Sequence, residues 1–331
     1  MAAWDSAVTA TNLHNLQTAP RFADATSSTR LLKNLIDYAG LFPPAALNMA
    51  ASVANYNEYL HSSFSWMLGR FIVPAAKLEE FEAALNQLPA ADNAGNESKP
   101  ANWQLSVLLG GDVSAGISKI LKFNADMKSR AAGQLVARLA TVEAIEMKVA
   151  SATEIKRAAA AVPPELQAYF EIPPNDESCY AALAETRSRA KLRTGGEVGD
   201  KFPSSENVVA FIQRCLAVSV PFKATAGLHH PLRSVHRYTY APDSPSGVMH
   251  GFINLFLAAA FLRAGSGPEL MTELLDEKSL GAIQFNADGV IWRGHRLRND
   301  ELSSTRTEFA ISFGSCSFTE PVQDLLKLGL L

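Results

Sequence analysis

The feature that most restricts this chain is a repeated switch of hydrophobic period. Short runs rich in Val, Ile, Phe and Leu alternate with longer segments whose apolar residues recur every three and four positions, the pattern of successive βα units. About eight units can be counted. Strands are expected at Leu35–Leu41, Met67–Val73, Gln104–Leu109, Ala144–Val149, Tyr169–Ile172, Ala190–Thr194, Phe222–Ala226 and Phe309–Phe313. Helices are expected at Ala46–Tyr59, Ala76–Leu88, Ala115–Met127, Ala152–Ala161, Glu177–Ser188, Ser205–Ala217 and Val248–Arg263. Eight such units close into a (β/α)8 TIM-type barrel, the preferred reading, although an open doubly wound sheet produces the same alternation locally. A length of 331 residues suits one α/β barrel domain over 1–331.

Three segments fall outside the repeat. The polar stretch 91–100 reads as a solvated loop, and 227–247, full of His, Pro, Arg, Tyr and Ser, as a long loop over the site. Within 281–300, Asp288-Gly289 between alternating apolar runs signals a hairpin inserted before the last strand. Residues 1–30 have weak periodicity and read as an N-terminal arm, either over the barrel bottom or at a contact between identical copies, so a homo-oligomer is left open.

Charge and composition narrow the partners. Thirty Lys and Arg against 33 Asp and Glu give a net charge of -3, so no overall positive field attracts nucleic acid. The longest apolar stretch, Phe252 to Leu262, is about half the length needed to cross a bilayer and contains Asn254, so it reads as a buried helix and not a membrane span. The opening residues carry no basic region followed by an apolar run, and the three cysteines, widely spaced, form no disulfide or CxxC pattern. A cytoplasmic location is expected.

In a barrel of this kind catalytic groups sit at the C-terminal ends of strands. The sixth strand carries Lys191 and Arg193 two apart, hence on one face, just before Gly195 and Gly196. The seventh presents Lys223 and Thr225 together and runs through Gly227 to His229 and His230. Lys191, Arg193 and Lys223 on neighbouring strands need compensation by carboxylates or an anionic ligand. Glu171, Glu146 and Asp37, each late in its strand, are candidates. The pleat leaves two orientations of the fourth strand open, with Glu146 and Lys148 inward or with Ile145 and Met147 inward. Crowding by cations is expected to lower the pKa of Lys223 and favour it as a nucleophile, with Lys191 as the perturbing neighbour.

His229 and His250 are expected acid/base groups, and Asn254, one turn beyond His250, is expected at the site entrance. His230 and His236 read instead as loop histidines in structural hydrogen bonds. The last strand ends in a Ser- and Gly-rich turn, where Ser312, Gly314, Ser315 and Ser317 are candidates to hold an anion, or simply start the last helix. No cofactor or metal ligand set is assigned. A divalent metal on His229, His250 and Glu171 is a minor alternative, because no HExxH or His-x-His motif is present.

Lys223-Ala224-Thr225-Ala226-Gly227-Leu228 resembles the Schiff-base lysine strand of deoxyribose-phosphate aldolases, Lys-Thr-Ser-Thr-Gly-aromatic. In that family a second lysine, on a strand following the first, perturbs it; here Lys191 precedes Lys223. The resemblance implies a class I aldolase-like lyase with Lys223 forming the imine and Glu171 or His229 moving protons. The leading expectation is therefore a Schiff-base lyase acting on a small phosphorylated or carboxylated carbonyl compound. An isomerase or transferase using acid/base chemistry on an anionic substrate, with or without a metal, and a non-catalytic barrel binding an anionic metabolite are the alternatives.

Overall fold

The computed structural model describes residues 26–89, 101–132 and 138–331. Eight parallel strands form a closed barrel: β1 (Ile36–Tyr38), β2 (Leu68–Pro74), β3 (Ala101–Leu108), β4 (Arg138–Lys148), β5 (Gln167–Glu171), β6 (Arg189–Arg193), β7 (Phe222–Thr225) and β13 (Ala310–Ser315), the last pairing with both β7 and β1. All eight expected strands are present, and the fold is the (β/α)8 barrel. An open sheet is excluded, because β13 and β1 share a continuous register from Ile36 opposite Phe313 to Tyr38 opposite Ser315.

The helices are α1 (Ser27–Leu32), α2 (Met49–His61), α3 (Leu78–Gln87), α4 (Val113–Ala132), α5 (Ala152–Ala159), α6 (Glu177–Glu185), α7 (Ser205–Ala217), α8 (Phe252–Arg263), α9 (Pro268–Leu275), α10 (Asn299–Glu308) and α11 (Thr319–Lys327). Several start where a short polar side chain satisfies a free backbone N–H. Asn48 accepts from Ala51, Ser151 from Glu154 and Ser204 from Asn207.

The pleat of each strand separates two environments. On β7, Phe222 and Ala224 belong to the apolar core, and Phe222 meets Phe211 of α7 at a ring separation of 5.8 Å. On β13, Phe313 stacks on Phe252 of α8 at 5.1 Å. Helix α8 is buried from Phe252 to Leu262 because α7, α9, α10 and β13 enclose it, which accounts for its apolar sequence. Among the described residues no helix is long and apolar enough to cross a membrane.

Barrel interiors of this type are normally filled by Val, Ile and Leu. Here the alternate face is strongly polar: β7 contributes Lys223, β6 Lys191, β5 Tyr169 and Glu171, β4 Glu146, β3 Ser106, β1 Asp37 and β13 Ser312. Of the two orientations open for β4, the structure adopts the one with Glu146 inward.

The segments outside the repeat are more ordered than their sequences imply. Within 227–247, Ser234–Arg237 forms β8 and pairs antiparallel with β9 (Ser246–Met249). Helix α8 therefore begins at Phe252 instead of Val248, since Val248 is taken up in the ladder opposite Val235. The expected hairpin is present, but it turns at Ala287-Asp288, one residue before the expected Asp288-Gly289, and a second turn at Arg293-Gly294, both with positive φ, adds a third strand to give β10 (Ile283–Asn286), β11 (Gly289–Trp292) and β12 (His295–Arg298). Of the N-terminal arm, Thr26 caps α1 and Ser27–Arg30 form its first turn, which contacts α10 across Arg30 and Ser303. The arm's earlier residues and the stretch 91–100 lie outside the described residues.

Candidate functional site

The inward polar residues form a chain of alternating charge. Lys223 donates to Asp37 Oδ2 at 2.6 Å and to Glu146 Oε1 at 2.7 Å. Lys191 pairs with the other oxygen of Glu146 at 2.8 Å and lies 3.8 Å from Glu171 Oε2. Arg193 Nε donates to Glu171 Oε1 at 2.9 Å and closes the chain. Ser312 and the Arg70 backbone N–H hold Asp37, at 2.7 and 2.8 Å, while Ser106 donates to Glu146 Oε1 at 2.7 Å. The Tyr169 ring centre lies 5.5 Å from Lys223 Nζ.

Parallel register produces this order. Glu171 is level with Lys191, Lys191 with Lys223, and Arg193 with Thr225. Lys148 is level with Glu171, so Glu146 sits one inward position deeper in the barrel. Exposure grades the chain from interior to mouth: the side chains of Lys223 and Glu146 are 1% exposed, Lys191 8%, Glu171 9% and Arg193 45%.

The lysines do not crowd each other bare, as the sequence suggests; a carboxylate separates them. Burial alone pushes the Lys223 ammonium toward lower pKa, but Asp37 and Glu146 more than offset it and hold the group above the ordinary lysine range. The expectation of a depressed Lys223 is overturned for that reason. Burial likewise opposes ionisation of Glu146, yet Lys191 and Lys223 hold its pKa well below the usual carboxylate range.

The turns after β6 and β7 support the mouth. Thr194 Oγ1 donates to the carbonyl of Ala226 at 2.6 Å, fixing a turn in which Ala226 and Gly227 both have positive φ. Gly227 and Gly195 let the two backbones meet: a Cβ on either would lie 2.8 Å from the other's Cα. Gly196 similarly lies against Lys201. These three glycines thus have a packing reason to be small. Thr225 and Gly314 are level on adjacent strands, with Asp37 level with Gly314 on the far side.

Other expected site residues are placed elsewhere. His250 is buried with Nε2 2.7 Å from the Pro203 carbonyl and Nδ1 3.2 Å from Arg233, and none of these partners belongs to the charge chain. Asn254 accepts from the Arg233 backbone N–H and donates to the carbonyls of Leu274 and Glu277, so it ties α8 to its surroundings instead of lining the entrance. His229 pairs with Glu320 at 3.1 Å. His230 pairs with Asp324 at 2.7 Å and stacks on His236, the structural role expected of both. Ser315 Oγ accepts from the Ser317 N–H, and Ser317 Oγ from the Glu320 N–H; this turn starts the last helix. His229, His250 and Glu171 have separate partners, and among the described residues no three His, Cys, Asp or Glu side chains gather to hold a metal.

Sequence reasoning passed over Ser106, Tyr169, Thr194 and Glu320. Ser106 carried a signal, a small polar residue between Leu105 and Val107 on the same inward face as Gln104; the others become meaningful only through their neighbours across strands. Comparison of the chain with protein-family models, curated proteins and solved structures gives no match.

Proposed function

We propose that this chain is a Schiff-base lyase of the class I aldolase kind, acting at the C-terminal mouth of the barrel on a small carbonyl compound that carries a phosphate or carboxylate. One observation carries the reading: the two lysines of adjacent strands each engage one oxygen of a single buried carboxylate, Glu146. Buried ion pairs of this density add little stability relative to an apolar interior, so their presence favours a chemical role.

The imine forms on Lys191, whose side chain is more exposed than that of Lys223. Glu171 takes one proton from the Lys191 ammonium beside it, and the freed amine attacks the carbonyl carbon. A second nitrogen proton moves to the alkoxide; Glu171 returns its proton to that hydroxyl, which departs as water and leaves the iminium, while Glu146 stays ionised between the two lysines. Glu171 then accepts the proton of the substrate's β-hydroxyl as the carbon–carbon bond breaks, its electron pair passing into the iminium to give an enamine. Glu171 reprotonates the enamine carbon, and water releases the product and regenerates the ammonium. Arg193, half exposed beside Glu171, binds the substrate anion. Lys223 fixes the orientation of Glu146 and Asp37 as a permanent ammonium. With the roles in this order, the imine lysine precedes its partner lysine along the chain, the order noted for deoxyribose-phosphate aldolases.

The test is borohydride reduction in the presence of a panel of small phosphorylated aldehydes, ketones and keto acids, read by peptide mass spectrometry. A reduced adduct on Lys191 that disappears in Lys191→Arg is expected. An adduct on Lys223 exchanges the two roles. Absence of any adduct across the panel overturns the imine reading and leaves acid/base chemistry on an anionic substrate.

A further inference from the structure

A second cavity lies at the opposite pole, among the N-terminal ends of the strands. It encloses about 600 Å3, and its charged lining is Arg30, Lys33, Arg70, Arg189, Arg306 and a single carboxylate, Asp37. Asp37 is already engaged by Lys223, Ser312 and the Arg70 backbone. Arg306 is also spoken for, since its guanidinium donates to the backbone carbonyls of Leu31, Lys33, Ala310 and Ile311.

Among the described residues, only Arg70 of the remaining four cations has an ion pair. Arg70 pairs with Glu143 at 3.2 Å, but its Nε is buried without a partner. Among the described residues, Arg30 reaches Ser303 through one terminal nitrogen, and its Nε is buried without a partner. Arg189 donates to the Tyr169 hydroxyl at 2.8 Å. Among the described residues, Arg30, Lys33 and Arg189 form no ion pair. Buried guanidinium N–H groups left unsatisfied are costly, and like charges facing one space repel. An oxyanion supplies what is missing, because planar guanidinium forks match carboxylate and phosphate oxygens.

We infer that this cavity is a binding site for a small multivalent oxyanion, a phosphorylated or polycarboxylated metabolite, distinct from the mouth of the barrel. The site stands whether or not the imine reading holds, since it shares only Asp37 with the charge chain.

Titration calorimetry of the full chain with pyrophosphate, and separately with citrate, tests it. Saturable one-to-one binding of at least one of them, with Kd below about 1 mM at low salt, is expected. The double variant Arg30→Gln, Lys33→Gln should weaken it at least about tenfold, as should Arg189→Gln from the other wall, while Arg193→Gln at the mouth leaves it unchanged. Whichever cavity variant folds decides the matter. No binding of either anion to the wild type overturns the site, as does binding that survives the folded cavity variants or is lost in Arg193→Gln. Pyrophosphate against citrate separates phosphate from carboxylate recognition.

Discussion

Lys191 and Lys223 stand level on adjacent strands and share Glu146, one oxygen each. Removing its charge leaves Lys223 with Asp37 alone and Lys191 with Glu171 at 3.8 Å, two buried ammonium groups without the carboxylate that separates them. Glu146→Gln should therefore destabilise the barrel by about 3–5 kcal/mol in urea unfolding. A loss below about 1 kcal/mol would show that the lysines find other compensation.

The same residue sets a pH dependence. The folded-state pKa of Glu146 is depressed, so its contribution is complete above the unfolded carboxylate range near pH 4 and is lost as pH falls further. The folded-state pKa of Lys223 is raised, so its contribution persists up to about pH 10 and is lost only above that. The stability gap between wild type and Glu146→Gln should be flat from about pH 5 to 10 and shrink below about pH 4. A gap that closes between about pH 5 and 7 would contradict this ordering.

His236 also loses stability toward acid, at a higher pH than Glu146. Burial, with the neighbouring His230 adding repulsion, depresses its pKa to about 4. The unfolded chain takes up that proton near pH 6.5, so stability falls as pH drops from about 6.5 toward 4. Proton NMR should place the His236 midpoint near the lower value, and His236→Phe should flatten this part of the pH–stability curve.

Gly227→Ala forces a side chain into a left-handed residue with φ of 73° and against the Gly195 backbone. A loss of about 1–3 kcal/mol is expected. Because Thr194 clamps the same turn, borohydride trapping should fall as well. A variant of unchanged melting temperature would refute the close backbone approach.

Asn254→Leu removes one acceptor and two donors from a buried site. A loss of about 3 kcal/mol or more in thermal unfolding is expected. Below the melting transition its borohydride adduct yield should match the wild type, which a residue lining the substrate entrance would not allow.

The chain's own pattern determined the barrel. Strand and helix periods are local properties of neighbouring residues, so all eight strands could be read before any contact was known. The lysines and Arg193 were legible for the same reason, as charges late in apolar strands. What the pleat leaves ambiguous only tertiary structure decided. Glu146 faces inward on β4 because the strands on both sides fix its register, and no run of residues within β4 contains that information. By position His250 looked like an acid/base group and Asn254 like part of the site entrance, but their partners come from segments up to 47 positions away. The sign of the Lys223 shift was likewise out of reach. Neighbouring cations along the chain suggest a lowered pKa, whereas closing the barrel sets Asp37, 186 positions distant, within 2.6 Å of its ammonium group. Electrostatics depends on distance in space, and the closed barrel alone fixes which charges meet.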